Sequence, residues 1–163
     1  PMLIAEVDVE GKREDAIRDG FRLIADYNFG NNKVKLDIAM TSPVQQQESQ
    51  KIAMTAPVQQ QSTGRSWQIS FVMPSKYSME SLPEPNNDRV RLKEILTKKF
   101  IVIEFSGTNS NENVTKHENQ LMNYIEGNNL KITGSPKYAF YNAPWTLPFM
   151  RRNEVMIEIN QQQ

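Results

Sequence analysis

Apolar and polar residues alternate along two segments in the first half of the chain, residues 3–9 and 67–73. Successive side chains of a β-strand point to opposite faces of a sheet, so this period of two predicts two half-buried strands. The second segment carries the larger apolar face. Its members are Trp67, Ile69, Phe71 and Met73.

A period close to 3.6 residues follows each of two strand-like segments. Between residues 12 and 27, Ile17, Phe21 and Ile24 have the i, i+4, i+7 spacing of a helix that buries one stripe. Later in the chain, residues 114–127 place apolar side chains on one helical face and end at a glycine that suits a C-cap. The sequence therefore predicts two amphipathic helices.

The order strand, glycine, helix and late tyrosine occurs twice, which indicates an internal repeat. Segments 100–105, 138–141 and 155–159 supply the strands of the second copy. We expect an α+β fold in which duplicated βαββ units form one curved antiparallel sheet with two helices outside it. The predicted half-repeats cover about 1–74 and 89–160 of a single domain, 1–163, with the proline-rich stretch 74–88 as their linker.

A ten-residue direct repeat lies inside the first half. IAMTSPVQQQ at residues 38–47 recurs as IAMTAPVQQQ at residues 52–61. Because proline cannot donate to a strand ladder, we expect two short strands, each stopped by its proline and paired as an antiparallel hairpin. The glutamine runs are predicted to be solvated loop.

Pro144 and Pro148 alternate with Trp145 and Phe149 near the end of the chain. Proline removes backbone donors, so this run predicts a rigid extended loop that wraps over the domain. Large apolar side chains are costly to expose together, and we expect Trp145 and Phe149 to be largely buried. The arginines that follow, at 151 and 152, either bind an anion or tie down loop carbonyls and Glu154, and the second interpretation is favoured.

Composition narrows the function classes. The 163 residues contain 19 basic and 19 acidic side chains, which gives no electrostatic basis for nucleic-acid binding. The absence of cysteine excludes disulfides and thiolate chemistry. No apolar run reaches the roughly 20 residues of a membrane span. The sequence opens at Pro1 rather than at methionine, so a strand or an export signal upstream stays open, and the compartment cannot be read.

His117 and the methionines are the candidate metal ligands. His117 is the single histidine and lies on the apolar side of the second predicted helix, where a half-buried histidine is a better interpretation than a ligand. Met40 and Met54 occupy matching positions of the direct repeat, and a thioether can bind heme iron. Met is also an ordinary filler of cores, and that interpretation is favoured for both. No metal site is predicted.

Five motifs, in order along nearly the whole chain, resemble the SOUL/heme-binding protein family in its bacterial type. They are KIAMTAPV at 51–58, WQISFVMPSKY at 67–77, LPEPNNDRVRL at 82–92, FSG at 105–107, and PWTLPF followed by RRNEV at 144–155. The resemblance implies a distorted eight-stranded barrel-like sheet flanked by two helices. It leaves open whether the family's first strand is missing here.

The resemblance also implies a tetrapyrrole cleft along the first helix. By register, Arg18 matches a basic position near the propionates, and Phe21 and Ala25 match apolar positions, although Phe21 and Ala25 could equally be plain core. Leu147 and Asp26 stand where the family has basic residues, and a carboxylate there would repel a propionate. The resemblance thus implies a non-enzymatic protein that binds heme, and we expect it to be a monomer. Because the sequence has no cysteine and its single histidine is badly placed, it offers no obvious strong axial ligand, and we expect weak to moderate affinity.

Two other function classes stay open. One is a small-molecule effector or protein-interaction domain that binds no heme, by analogy with duplicated βαββ units in ligand-sensing domains. The other is an enzyme that modifies a tetrapyrrole. The sequence offers no clear acid–base pair for the enzyme, which therefore ranks last.

Overall fold

The computed structural model describes residues 2–34 and 50–160. In the first half these residues form β1 (Met2–Glu10), α1 (Arg13–Asn28), β2 (Asn32–Lys33), β3 (Val58–Ser62), β4 (Ser66–Val72), β5 (Glu84–Pro85) and β6 (Arg91–Ile95). In the second half they form β7 (Phe100–Phe105), α2 (Asn111–Gly127), β8 (Lys137–Phe140), a short 3-10 helix (Pro148–Met150) and β9 (Asn153–Glu158). The fold is α+β, as predicted.

Seven of the strands form one antiparallel sheet in the order β6-β1-β4-β3-β8-β9-β7, and β2 pairs with β5 separately. The sheet is open. No ladder joins β6 to β7 within the residues that the structure describes, so the predicted eight-stranded barrel-like sheet is corrected to an open seven-stranded one.

The same four-element unit, in the order strand, helix, strand, strand, occurs in each half: β1, α1, β3 and β4 in the first and β7, α2, β8 and β9 in the second. In the first half β1 lies beside β4, which lies beside β3, and in the second half β7 lies beside β9, which lies beside β8. The two halves meet where β3 pairs with β8, from Val58 opposite Phe140 to Gln61 opposite Lys137. This pairing makes one continuous sheet from the two units.

Both helices cover the same face of the sheet. The strand registers align a single row across it, whose members are Val7, Ile69, Gln60, Tyr138, Val155 and Ile103. The β1 and β4 members of this row belong to the apolar cluster of the first half, and the β8 and β9 members belong to that of the second. Ile17 and Trp67 touch both clusters and connect them.

Helix α1 buries Ile24 as predicted, but Ala16 and Gly20 are buried in place of the predicted Ile17 and Phe21. Ala16, Gly20, Ile24 and Tyr27 are buried, whereas Ile17 is half-buried and Phe21 is 37% exposed. Gly20 explains this difference, because the absence of a side chain there lets the helix lie directly on the side chain of Ile69. In α2 the predicted apolar stripe is confirmed, with Val114, Leu121 and Ile125 all buried.

The second glutamine run is a strand and not a loop. Residues 59–61 lie in β3 at the centre of the sheet, and Gln60 is fully buried. Residues 52–57 form no strand, so the prediction of a strand ended by Pro57 is wrong: the strand begins after that proline. The first copy of the repeat, 38–47, lies outside the described residues.

The segment 144–150, called here the proline segment, is held by polar bonds rather than by apolar packing. Arg151 donates to the carbonyl oxygens of Thr146 at 2.7 Å and Pro144 at 2.6 Å, as the sequence predicted. Trp145 and Phe149 are 86% and 74% exposed, so the prediction that they are buried is wrong. The hydrogen bonds of Arg151 thus fix the backbone of the segment while both rings stay exposed.

Candidate functional site

A groove of about 670 Å³ runs between α1 and the proline segment. Its volume lies within the range of roughly 300–1,000 Å³ that is usual for small-molecule and cofactor sites. One wall is α1, the floor comes from β3, β4 and β8, and the other wall begins at Tyr141 and ends at Trp145. Its lining is mostly apolar and includes Ile17, Arg18, Phe21, Arg22, Met54, Val58, Phe71, Phe140, Tyr141 and Trp145.

The floor of the groove is made of aromatic and aliphatic side chains. The rings of Phe21 and Phe71 are 5.6 Å apart between centroids and tilted by 57°. Val58 and Phe140 lie directly opposite each other where β3 pairs with β8. The groove therefore lies over the junction of the two half-sheets and offers an apolar surface to a ligand.

Two arginines of α1 carry positive charge at the rim. Arg18 Nη2 lies 2.9 Å from Asp15 Oδ1, and its Nε lies 3.7 Å from Asp19 Oδ1. Arg22 reaches Asp19 only at 4.0 Å. The arginine side chains are 62% and 74% exposed, and exposed pairs of this kind contribute about 0–1 kcal/mol. Both guanidinium groups can therefore exchange a local carboxylate for an anionic group on a ligand at little cost.

The opposite wall is fixed by a hydrogen-bonded cluster at Tyr141. Its hydroxyl donates to Glu154 Oε2 at 2.8 Å, and Arg152 lies over its ring at 4.6 Å from the centroid. Arg152 also pairs with Glu154 and Glu104. Burial, followed by the hydrogen bond to Glu154, raises the pKa of Tyr141 to about 12, so the wall presents a neutral phenol near pH 7.

The structure brings two of the four predicted site residues together. Arg18 and Phe21 both line the groove. Ala25 is 7% exposed and Leu147 is 55% exposed, and neither is among the described residues that line it. Asp26, the suspected repulsive carboxylate, accepts a hydrogen bond from Asn31 Nδ2 and also lies outside that lining.

His117 is engaged inside the second half of the fold. Its ring stacks on Phe105 at 4.1 Å between centroids, and Nδ1 donates to the carbonyl oxygen of Asn113 at 2.7 Å. It is half-buried, as predicted, and it is absent from the described groove lining. Residues 2–34 and 50–160 contain no cluster of three or more His, Cys, Asp or Glu side chains with metal-site geometry.

Met54 is not the core residue that the sequence suggested. Its side chain is 37% exposed and lines the groove. Met40, its counterpart in the direct repeat, lies outside the described residues.

A second, smaller cavity of about 390 Å³ lies where the two helices begin. Arg13 is buried beside it and donates to Asn111 Oδ1 at 2.7 Å, to Gln60 Oε1 at 3.3 Å and to the carbonyl oxygen of Asn109. Burial lowers the pKa of Arg13, but an arginine remains charged at any physiological pH. This network ties both helices to the central strand.

Sequence reasoning missed most of the groove lining. Arg22 could have been found, since it lies four residues after Arg18 and therefore on the same helix face. Val58, Phe140 and Tyr141 come together only through the pairing of β3 with β8, which leaves no local sequence signal. Neither helix in the described part of the chain combines the length and apolarity needed to cross a bilayer.

Comparison with known proteins gives a match of the family model for SOUL heme-binding protein to residues 1–158. Comparison with curated proteins gives no match. Among similar solved structures is a Listeria innocua protein described as a hydrolase, with 14% identity, a TM-score of 0.60, and coverage of 98% of this chain and 87% of that one. An uncharacterized conserved Listeria innocua protein has the same identity and TM-score and covers 98% and 88%. At this identity the two structures show a shared fold.

Proposed function

The chain belongs to the SOUL heme-binding protein family, and on that basis we propose that it binds a heme-type tetrapyrrole, without catalysing a reaction on it, in the groove beside α1. The observation that carries the proposal is the groove itself. It combines an apolar floor with two exposed arginines on one rim. A tetrapyrrole with propionates has the matching chemistry, a broad apolar ring with carboxylates at one edge.

The groove residues fit such a ligand by burial and by charge. Burying apolar surface contributes about 25 cal/mol per Å². Phe71 and Phe140 are already buried beneath the groove, so most of the affinity would come from the exposed apolar lining, Phe21, Met54 and Trp145. Arg18 and Arg22 would each replace an exposed pairing with Asp15 or Asp19 by a charge-assisted bond to a propionate. When bound, a heme would supply a coordination position on its iron and a strong visible absorption.

Ala25 and Leu147 keep a place in the proposal at the ends of the groove. Ala25 lies one turn of α1 beyond Phe21, and Leu147 lies two residues beyond Trp145. We infer that a macrocycle larger than the groove would reach toward Leu147, which is 55% exposed. For Ala25, which is buried, we infer at most an apolar contact at that end of α1.

A hemin titration followed by the Soret band tests the proposal. Phe21→Asp places a charge on the α1 wall of the groove and should abolish the saturable shift. His117→Ala should change the affinity by less than about twofold, or about 0.4 kcal/mol, because His117 lies outside the described lining. Phe29→Asp is the matched control. Phe29 is 64% exposed just after α1 and outside the described lining, so this change adds the same charge without entering the groove.

The outcomes separate the interpretations. Loss of binding in His117→Ala, with Phe21→Asp still binding, would move the site to α2. If the wild-type protein gives no saturable shift, heme binding is wrong for this chain. Circular dichroism of each variant before titration shows whether the fold has survived the substitution.

One observation favours a second candidate, a protein-interaction domain. The proline segment exposes Trp145, Leu147, Phe149 and Met150 together, all more than half exposed. Contiguous apolar surface of this kind often marks an interface. Absence of hemin binding, together with binding of a partner that Phe149→Ser removes, would support this candidate.

A further inference from the structure

The lining of the groove contains few side chains that can bond to iron. Neither histidine nor cysteine occurs among the described lining residues, and the remaining candidates are Glu14, Met54 and Tyr141. The amide side chains of the lining are weak neutral donors. The iron-binding capacity of the groove therefore depends on these three groups.

Tyr141 is a poor candidate because iron binds the phenolate form of tyrosine. Its hydroxyl already donates to Glu154 Oε2 at 2.8 Å, and its pKa is raised to about 12 by burial and by that hydrogen bond. Glu14 is engaged as well. Its Oε1 accepts from the backbone N–H of Asn111 at 2.9 Å and lies 3.7 Å from Arg13 Nη2.

Met54 needs no deprotonation and is not a partner in the hydrogen bonds and ion pairs that engage Tyr141 and Glu14. A thioether carries no proton to lose, and the side chain is 37% exposed in the groove. The backbone around it is fixed on both sides: the N–H of Ile52 donates to the carbonyl oxygen of Asn28 at 2.7 Å, and the Thr55 hydroxyl donates to the carbonyl oxygen of Val72. The chain therefore presents this sulfur from an anchored segment.

We propose that Met54 Sδ is the iron ligand of the groove, so that the site selects iron-containing tetrapyrroles and prefers ferrous to ferric heme. This inference rests on the proposed function, because it needs the macrocycle to lie in the groove. The preference follows from chemistry. A thioether is a soft ligand, and methionine ligation in heme proteins raises the reduction potential, which means that it stabilises the ferrous state.

The test compares three probes, namely ferrous heme under dithionite, ferric hemin and metal-free protoporphyrin IX. Met54→Leu nearly conserves volume and apolarity but removes the donor atom. We expect this variant to bind ferrous heme about tenfold more weakly or worse, which is within the range seen when metal sites lose supporting contacts. Protoporphyrin IX, which has no iron, should bind wild type and Met54→Leu equally.

Met150→Leu is the matched control, since Met150 is 63% exposed and lies outside the described groove lining. A structural readout accompanies the affinities. In protein labelled with ¹³C at methionine methyl groups, ferrous heme should shift the Met54 signal strongly, and Met54→Leu should identify that signal by its loss. Met54→His should convert the spectrum to that of a histidine-bound iron.

The inference and the proposed function fail differently. If Met54→Leu binds ferrous heme as tightly as wild type while Phe21→Asp binds none of the three probes, the groove is right and Met54 is not the ligand. If Met54→Leu loses affinity for all three probes equally, Met54 contributes packing and not iron ligation, and the inference is also overturned. If the wild type binds none of the probes, both are wrong.

Discussion

The absence of a β-carbon at Gly20 explains why α1 lies as close to the sheet as it does. A β-carbon at position 20 would lie 2.7 Å from Ile69 Cβ and closer still to its Cγ1, which is nearer than real contacts come. Ile69 is fully buried in β4, so its side chain has no free space into which to move. The groove depends on this contact, because Arg18, Phe21 and Arg22 are carried on the turns around Gly20.

Gly20→Ala is therefore expected to destabilise the fold although alanine is the better helix former. Overpacking a close-packed core typically costs about 1–3 kcal/mol, which exceeds the roughly 0.5–1 kcal/mol gained by replacing glycine in a helix. Urea unfolding should show a lower midpoint with an unchanged slope. Gly127→Ala is the control, since nothing lies within 4 Å of the β-carbon there, and it should be neutral or slightly stabilising.

Combining Gly20→Ala with Ile69→Ala tests the cause. If the loss comes from this contact, the double variant should be less destabilised than the sum of the two single changes. Strict additivity of the two losses would show that the helix tolerates the methyl group and that the destabilisation has another origin.

At the scale of residues, the family resemblance implied two groove positions on α1 and missed Glu14 and Arg22 on the same helix. Arg18 and Phe21 lie three apart on α1 and do line the groove. Met54, Tyr141 and Trp145 come from segments whose approach depends on strand pairing, so spacing along the chain contained no information about them. The prediction for Trp145 is wrong because it rests on hydrophobicity alone. The segment is fixed instead by Arg151, which donates to the carbonyl oxygens on either side of Trp145.

At the scale of elements, β3 is the least expected member of the sheet. It reads Val-Gln-Gln-Gln-Ser, yet it occupies the central position and pairs on both sides, with β4 and with β8. Gln60 points to the helix-covered face and is fully buried. Its amide is satisfied there, since Nε2 donates to the carbonyl oxygen of Arg13 at 2.8 Å and Oε1 accepts from Arg13 Nη1 at 3.3 Å.

Gln60→Leu should accordingly destabilise the protein even though it makes the core more apolar. The change leaves the buried Arg13 short of one acceptor and its carbonyl short of one donor, and an unsatisfied buried group costs about 1–3 kcal/mol. Gln59→Leu is the matched control, because Gln59 lies on the opposite face of the same strand and is only half-buried. The measurement is the thermal unfolding midpoint of both variants. A midpoint of Gln60→Leu at or above that of wild type would refute the role of this network.

Elements with a clear period could be predicted, and those held by tertiary contacts could not. Strands β1 and β4 show alternation, and helices α1 and α2 show a 3.6-residue period. These four elements, and the apolar strands β7, β8 and β9, occur close to the predicted bounds. Strand β3 has a polar composition that is typical of a loop, and only its two neighbours make it a strand. In β6, Arg91, Lys93 and Glu94 likewise give no apolar face from which to predict pairing with β1.

At the scale of the whole molecule, several phenols are taken out of water when the chain folds. Tyr27 is 1% exposed and donates to the carbonyl oxygen of Pro83 at 2.9 Å, and Tyr138 donates to Glu118 Oε2 at 2.7 Å. Burial is the main cause that raises the pKa of Tyr27, of Tyr138 and, to about 12, of Tyr141. The folded state thus favours the protonated phenols.

Stability should therefore fall as pH rises above about 10. A pKa that is higher in the folded state contributes stability that is complete below the unfolded pKa of 10.0 and is lost as pH rises toward the folded value. Lys137 acts in the opposite sense, because burial lowers its pKa. Comparing wild type with Tyr27→Phe isolates the tyrosine contribution.

The measurement is the urea midpoint between about pH 8 and pH 11, the interval in which an unfolded phenol ionises. The midpoint of wild type should decline across it, and that of Tyr27→Phe should decline less. Parallel curves for the two proteins would show that Tyr27 ionises equally easily in both states.

An open sheet differs from a barrel in one further respect, which concerns solubility. In the described fold β6 and β7 each pair on one side only, and an unpaired strand edge is a template on which another copy can add. The two edges are protected differently. Edge β6 carries Arg91, Lys93 and Glu94, whereas the apolar edge β7 follows Lys98 and Lys99 and has the Lys137 ammonium 5.6 Å from the ring centroid of Phe100. Charges that take no part in the groove thus oppose polymerisation of the chain through its own sheet.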